Sequence, residues 1–421
     1  MPREMKDSGI EWVGDIPSHW HLIKNKNAFL CKKEIVGEKS SETQLLSLTT
    51  RGVRTKSPTA IGGKVPESFD TYQYVEKDDL IMCLFDLDCS AVFSGISPCN
   101  GMISPAYKIL KCKSSIIPSF ASYWFSFVFI DRKFKPYAKN LRYTLTYDEF
   151  ATLSILVPTL SEQQAISDFL DKKCAEIDAV IEQTKETIEQ YKALKRALIT
   201  DTVTKGVRCN RLMKDSENIW YGEIPACWNV SKLKYVFTIK KDIAGKEGYT
   251  VLSITQKGVV PKNISSNEGQ LAENYSNYQL VSIGDFAMNH MDLLTGWVDI
   301  SKYEGVTSPD YRVFVLNDSV HNCKRYYLYL MQMCYNNRIF YGLGQGVSGM
   351  GRWRLQADKF LNFTIPIPPT EEQEEIANFL DDKCSEIDAL IEKKTALLEE
   401  MENLKKSIIF EYVTGKKEVA I

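Results

Sequence analysis

The sequence predicts an α+β protein. It reads as two mixed α/β globular domains joined by two long antiparallel coiled-coil helices, a pseudo-twofold tandem repeat. Three observations carry this reading. Residues 162–204 align without a gap with residues 372–414, about half of them identical, and a repeat at half the chain length means two copies of one unit. The segments ahead of each globular part repeat as well. Within the helical stretches, apolar residues alternate at three and four positions, the spacing of a coiled-coil seam.

Each half opens on the same frame. Met5-Lys6-Asp7-Ser8 recurs as Met213-Lys214-Asp215-Ser216. Trp12-Val13-Gly14-Asp15-Ile16-Pro17-Ser18-His19-Trp20 recurs as Trp220-Tyr221-Gly222-Glu223-Ile224-Pro225-Ala226-Cys227-Trp228. The Trp pairs are too far apart to stack successive bases and are read as packing a domain onto a helix end. Leu46-Ser47-Leu48-Thr49 and Leu252-Ser253-Ile254-Thr255 follow, each ahead of a Gly-Val pair. The interiors then diverge. Their β-rich runs predict strands at 45–49, 80–85, 106–110, 250–254 and 311–316, with helices at 120–127 and 324–334. Each domain ends in an apolar strand closed by proline, at 153–158 and 363–369.

A long helix starts directly afterwards in both halves. Ser161 with Gln164, and Thr370 with Gln373, have capping-box spacing. The predicted seam comprises Ile177, Ile181, Ile188 and Leu198 facing Ile387, Ile391, Leu398 and Ile408. Tyr191, Leu194, Met401 and Leu404 share the apolar spacing. The helices end near Gly206 and Gly415. Each is about 43 residues, roughly 60 Å at 1.5 Å per residue. A domain of about 160 residues is only about 40 Å across, so it links the end of one helix to the start of the next only if the helices run antiparallel. That arrangement brings the N-terminal segment near the end of the second helix.

Formal net charge is −2, which does not favour nucleic acid until it is divided. Residues 1–160 carry +3, 161–207 carry −2, 208–370 carry +4 and 371–421 carry −7. The globular parts are mildly basic and the helices hold the acid, so the helices suit protein docking better than DNA. Glu371, Glu372, Glu374 and Glu375 read as charge complementing the helix dipole. The eleven cysteines are scattered without a Cys-x-x-Cys pair, so no metal is expected. The start lacks an apolar leader core, and the most apolar run, 116–130, is too short and interrupted to span a bilayer. A cytoplasmic location is expected.

The candidate contacts are basic and lie on turns. Arg51, Arg54 and Lys56 follow one strand, and Lys257 and Lys262 follow its repeat counterpart. Ahead of the last strand lie Lys139, Arg142 and Tyr143 in one half, and Gln345, Ser348, Arg352 and Arg354 in the other. The glycine-rich loop 342–351 lacks the Gly-Lys-Ser/Thr ending of a nucleotide site. Basic and aromatic loop residues suit phosphate clamping and base-edge contact, while exposed surface loops remain the plain alternative. No Walker A, methyltransferase or nuclease motif is found, so no catalytic residue is assigned.

These paired motifs, Asp-Ser-x-x-x-Trp-x-Gly-(Asp/Glu)-Ile-Pro-x-x-Trp and the Glu-Gln helix start with Phe-Leu-Asp-x-Lys-Cys-x-Glu-Ile-Asp-Ala, resemble the specificity subunit of type I restriction-modification systems. The resemblance runs in order along essentially the whole chain. It implies target recognition domains at 1–160 and 208–369 and conserved helical regions at 161–207 and 370–421. Each recognition domain would read one half of a bipartite DNA sequence. The helices would fix the spacer and bind two methyltransferase (modification) subunits, and restriction subunits would join that core. S-adenosylmethionine and ATP would belong to the partners, leaving this chain without a cofactor. The competing readings are a coiled-coil scaffold that bridges two proteins without DNA specificity, and an enzyme with its site hidden in the variable domains.

Overall fold

The computed structural model describes residues 3–49, 52–57, 68–87, 94–130, 132–138, 143–263, 274–319, 321–346 and 353–419. It divides into two compact units, Met1–Lys185 with Ala396–Ile421, and Glu186–Thr395. The division falls inside both long helices, so each unit holds one globular part and one stretch of each helix.

In the first unit a four-stranded antiparallel sheet runs in the order Phe29–Lys32, Lys108–Cys112, Leu80–Met82, Ser94–Ile96. In the second the order is Phe237–Lys240, Arg312–Leu316, Phe286–Met288, Val298–Ile300. The interiors that diverge in sequence therefore keep one topology. Side chains alternate across each sheet. Leu80, Met82 and Leu110 enter the main core, whereas Ile81 and Ile109 join a smaller cluster with Leu46 and Val53. Phe286, Met288 and Phe314 likewise face the main core, and Ala287 and Val313 face Leu252 and Val259.

The main core of each unit is built on a thirteen-residue helix, Pro118–Ile130 or Lys324–Asn336. The first is apolar almost all round and buries Phe120, Trp124, Phe125 and Val128. The opposite face of each sheet is covered by a hairpin, Leu46–Thr49 with Gly52–Thr55 or Leu252–Thr255 with Gly258–Pro261. The proline-closed strands pair with the segment after each Trp, Ser154–Val157 with His21–Lys24 and Thr364–Ile367 with Asn229–Lys232.

The long helices span Leu160–Lys205 and Thr370–Val413. In the first unit Ile166, Leu170 and Cys174 share a core with Ile409 and Val413. In the second, Ile199 and Val203 share one with Ile376, Leu380 and Cys384. Early residues of one helix meet late residues of the other in both units, which is antiparallel packing. Lys405 pairs with Asp178 at 2.7 Å and Lys195 with Asp388 at 2.6 Å, and these two bridges are repeat counterparts. Ile177, Ile181, Ile188 and Ile387 are buried, while Leu198, Ile391, Leu398 and Ile408 are half-buried. Next to Leu198 and Ile408 the buried positions are Ile199 and Ile409, one residue further on, with Val203 and Val413 deeper still in the last turns. Leu194 and Leu404 are exposed.

The helix starts differ from the expected caps. The first helix begins one residue early, so Thr159 is its cap. Thr159 Oγ1 accepts from the Glu162 N–H and the Glu162 carboxylate accepts from the Thr159 N–H, which leaves Ser161 and Gln164 outside the box. At the second helix the residue in the cap position is Pro369, and Thr370 Oγ1 donates to the His321 carbonyl instead. The glycines at the helix ends are required. Gly206 and Gly415 both have positive φ, and a Cβ on Gly415 would lie 2.5 Å from Pro17 Cδ. The second helix thus ends against the N-terminal Trp20 segment.

Ile199→Ala or Ile409→Ala should cost about 2–5 kcal/mol of stability, read from urea unfolding. The exposed Leu404→Ala should stay within about 0.5 kcal/mol of wild type.

Candidate nucleic-acid interface

The site is framed by a joint that occurs once in each unit. Trp20 and Trp228 are fully buried. Trp20 Nε1 donates to Glu162 at 3.1 Å, and Trp228 Nε1 donates to Glu372 at 2.8 Å. Arg3 pairs with Glu162, Arg211 pairs with Glu372 at 2.6 Å, and each guanidinium lies over its indole. The neighbouring glutamines are buried too. Gln163 Oε1 accepts from the Ile117 N–H, and its Nε2 donates to the Ser115 and Pro158 carbonyls. Gln373 does the same with Cys323 and Pro368. The Glu-Gln pair thus ties the Trp segment and the core helix to the start of the long helix.

This corrects the dipole reading of the acidic run. Glu372 is a buried ion-pair member, Glu374 pairs with Arg325 at 2.7 Å, and Glu375 receives two bonds from Arg208 at 2.9 and 2.7 Å. Sequence inspection missed Arg3 and Arg211. Their signal was the same offset that relates Trp20 to Trp228.

On this frame the candidate contacts fall into two places per unit. The basic residues belong to the two covering hairpins: Lys257 lies at the tip of one, Arg54 lies opposite Ser47 in the other, and Lys56 and Lys262 follow the second strands. Thr49 Oγ1 donates to the Gly52 carbonyl and Thr255 Oγ1 to the Gly258 carbonyl. Gly258 has φ +101°, and a Cβ there would lie 2.2 Å from Asp299 Oδ2. Arg54 and Lys257 are exposed, while Lys56 and Lys262 are half-buried. Lys262 lines an open groove of about 380 Å³ with Ser253, Tyr278, Asn289, Asp292 and Asp310.

The loops ahead of the final strand dock on the loop leaving the sheet. In the first unit Tyr143, at φ +42°, accepts the Leu87 N–H through its carbonyl, and Lys135 Nζ lies 4.4 Å from its ring. In the second, Gln345–Gly346 and Trp353–Arg354 form a ribbon. Trp353 stacks on Tyr341 at 5.2 Å, and the Trp353 carbonyl accepts from Leu293. Arg354 and Gln345 are exposed, and Gln345 Oε1 accepts from Gln356. Leu293 follows directly on the Asn289–Asp292 stretch that lines the groove, so one loop carries both groove and ribbon. Arg51, Lys139, Arg142, Ser348 and Arg352 lie outside the described residues.

The family described as type I restriction modification DNA specificity domain matches residues 225–400. The chain is 28% identical over 283 residues to the type I restriction enzyme MjaVIII specificity subunit of Methanocaldococcus jannaschii, covering 63% of each chain. It is 26% identical over 215 residues to the putative MjaX specificity subunit of the same organism, covering 47% of this chain and 49% of that one. The matched stretches therefore span less than two thirds of these curated relatives. This chain is thus similar to type I specificity subunits along the stretches matched. A solved structure described as the basis of complex assembly and conformational transition of the type I R-M system shares the fold, with a TM-score of 0.69 at 13% identity over 96% of this chain and 99% of that one.

Specificity subunits are in general non-catalytic. Among the described residues no group of three or more His, Cys, Asp or Glu is placed to hold a metal, and no helix is long and apolar enough to cross a membrane.

The Glu162 joint has a pH signature. Burial opposes its ionisation, but bonds from Trp20, His19 and Thr159 hold its carboxyl down at about 2. Its folded value lies below the ordinary 4.5, so its contribution to stability is complete above about pH 4.5 and is lost as pH falls towards 2. Wild type should exceed Glu162→Gln in thermal stability at pH 7, and the difference should shrink steadily below pH 4.5. A difference that does not change with pH would contradict this.

Proposed function

We propose that this chain is the DNA-recognition subunit of a type I restriction-modification complex, with each globular domain reading one half of a bipartite duplex sequence. The observation that carries this is the repeated placement of polar and basic loops. In both units a hairpin with basic side chains covers the sheet, and the loop before the last strand docks on the loop leaving that sheet. Basic side chains there suit phosphate contact, and the polar groove beside Lys262 suits base edges. The target recognition domains are residues 1–160 and 208–369. The helical regions 161–207 and 370–421 fix the spacer and dock two methyltransferase subunits. Restriction subunits join that core, and catalysis resides in the partners. The chain itself carries no catalytic residue and works in the cytoplasm.

The mild positive charge of the two domains makes the isolated chain a modest DNA binder. The partners supply much of the phosphate contact around the duplex. The assembled complex should bind its bipartite duplex far better than scrambled DNA, with affinity falling steeply as salt rises. A scaffold that ignores DNA would show neither property in a gel-shift titration.

Two variant series test the division of labour. Replacing residues 208–369 with the matching domain of a relative should change one half of the methylated sequence only. A change in both halves would point to a single composite reading surface. Arg54→Ala and Lys257→Ala should weaken binding to all sequences and lower the salt slope by about one each. Arg354→Ala should lose about 1–3 kcal/mol of discrimination if that guanidinium reads guanine. Wild-type binding by all three variants would place the reading face elsewhere.

A further inference from the structure

The second unit buries a cation that no carboxylate among the described residues neutralises. Arg312 opens the strand Arg312–Leu316, lies opposite Met288 in the sheet, and is only 4% exposed. Its Nη2 donates to the Leu355 carbonyl at 3.0 Å, and its guanidinium lies 4.9 Å from the centre of the Phe360 ring. Nη1 has no hydrogen-bond partner, and among the described residues no carboxylate pairs with Arg312. Beside it His290 is 5% exposed and its Nδ1 is also without a partner. The His290 carbonyl accepts from the Leu355 N–H at 3.0 Å. Leu355 is therefore held from both sides, and it directly follows Arg354.

Burial pushes Arg312 down to about 10, with Tyr335 opposing the shift and Arg354 adding to it. It remains cationic at neutral pH. Burial, then Arg312 and Arg354, push His290 down to about 3, so the imidazole is neutral.

The first unit shows what the fold alone needs. There the Leu84 carbonyl accepts from Leu145 at 2.8 Å, the same backbone clamp. Its apolar Leu84 takes the place of His290. The residue opposite Met82 is Lys108, half-buried. The clamp is common to both units, and the buried guanidinium belongs to the second alone. Such a charge is costly, and an apolar residue of similar volume is often neutral or stabilising in its place. An unsatisfied buried group of this kind calls for an explanation.

We propose that Arg312 is a positioning residue for the second half-site: it holds Leu355, and through it the Arg354 strand, in the DNA-reading position, and duplex phosphate supplies the counter-charge that no described carboxylate does. This rests on the DNA-recognition reading above. Arg312 acts at a distance from the duplex. Its field reinforces Arg354, and its single Nη2 bond to the Leu355 carbonyl fixes where that strand lies.

The test uses the assembled complex with Arg312→Met and Arg312→Lys. Duplexes altered in one half-site or the other are titrated at several salt concentrations, and thermal midpoints are recorded. Arg312→Met should melt no lower than wild type, bind cognate DNA about tenfold more weakly with a shallower salt slope, and lose discrimination in one half-site only. Arg312→Lys should keep the salt slope and still lose discrimination, because a point charge cannot reproduce the planar fork. Lys108→Met in the first unit should leave that half-site's discrimination unchanged. Wild-type affinity, slope and discrimination in Arg312→Met would overturn the proposal. So would a lowered melting midpoint with both half-sites affected equally, which marks a purely structural role. If the wild-type complex shows no preference for a bipartite duplex, the recognition reading itself falls, and the wild-type titration alone reveals that.

Discussion

A carboxylate at the start of each long helix, buried at Glu372 and half-buried at Glu162, organises the rest of the molecule. Glu162 and Glu372 each accept from an indole N–H and pair with an arginine 159 or 161 residues away along the chain. Taking a carboxylate out of water is costly unless it is paired and hydrogen-bonded. The joint therefore specifies one docking of the Trp segment on the helix. The adjacent glutamine extends it by three buried hydrogen bonds to the core helix and to the proline that closes the last strand. Everything that presents the candidate contacts is built outward from there: core helix, sheet, covering hairpin and pre-strand loop.

That order explains why the two interiors diverge in sequence and yet keep one topology. The sheet needs only alternating apolar residues, and these are interchangeable in kind. Leu80-Ile81-Met82 and Phe286-Ala287-Met288 do the same work. The long-range polar contacts are less tolerant. Gln73 and Gln279 donate to equivalent pairs of carbonyls, and Lys32–Asp79 is matched by Lys240–Asp285. The loops outside this lattice are free to differ in charge and shape, which is what two unequal half-sites require.

The duplicated helices, their antiparallel pairing and their glycine stops were legible because they rest on local spacing and on residues that recur at one offset. The strands read from apolar runs lie within two or three residues of those formed, whereas Phe29–Lys32, Ser94–Ile96, Phe237–Lys240, Phe286–Met288 and Val298–Ile300 were not picked out, being only three or four residues long. The helix caps were misplaced because Thr159 and Ser161 both satisfy the local pattern, and only the true first residue, Leu160, decides between them. The ion pairs of the acidic run 371–375 were missed for a different reason. Arg208 and Arg325 are brought to it by tertiary structure with no spacing to announce them, and only Arg211 shares the repeat offset with Arg3. Arg312 was hidden in the same way: at the head of Arg-Val-Phe-Val-Leu it looks like an exposed strand end, and only the sheet shows that it is buried. Among the candidate contacts, the equivalence of the two basic turns was visible in the repeat. The ribbon pairing Gln345 with Arg354 was not, since its two strands flank a glycine-rich loop without alternation.

Hydrogen–deuterium exchange of the assembled complex, with and without its bipartite duplex, measures the central claim most directly. The account predicts that DNA slows exchange at the covering hairpins around residues 52–57 and 255–262 and at the loops around 143–146 and 345–356, while the helix starts carrying Glu162 and Glu372 stay unchanged. Slowing confined to the helical regions, with the four loop segments exchanging as they do without DNA, would contradict it.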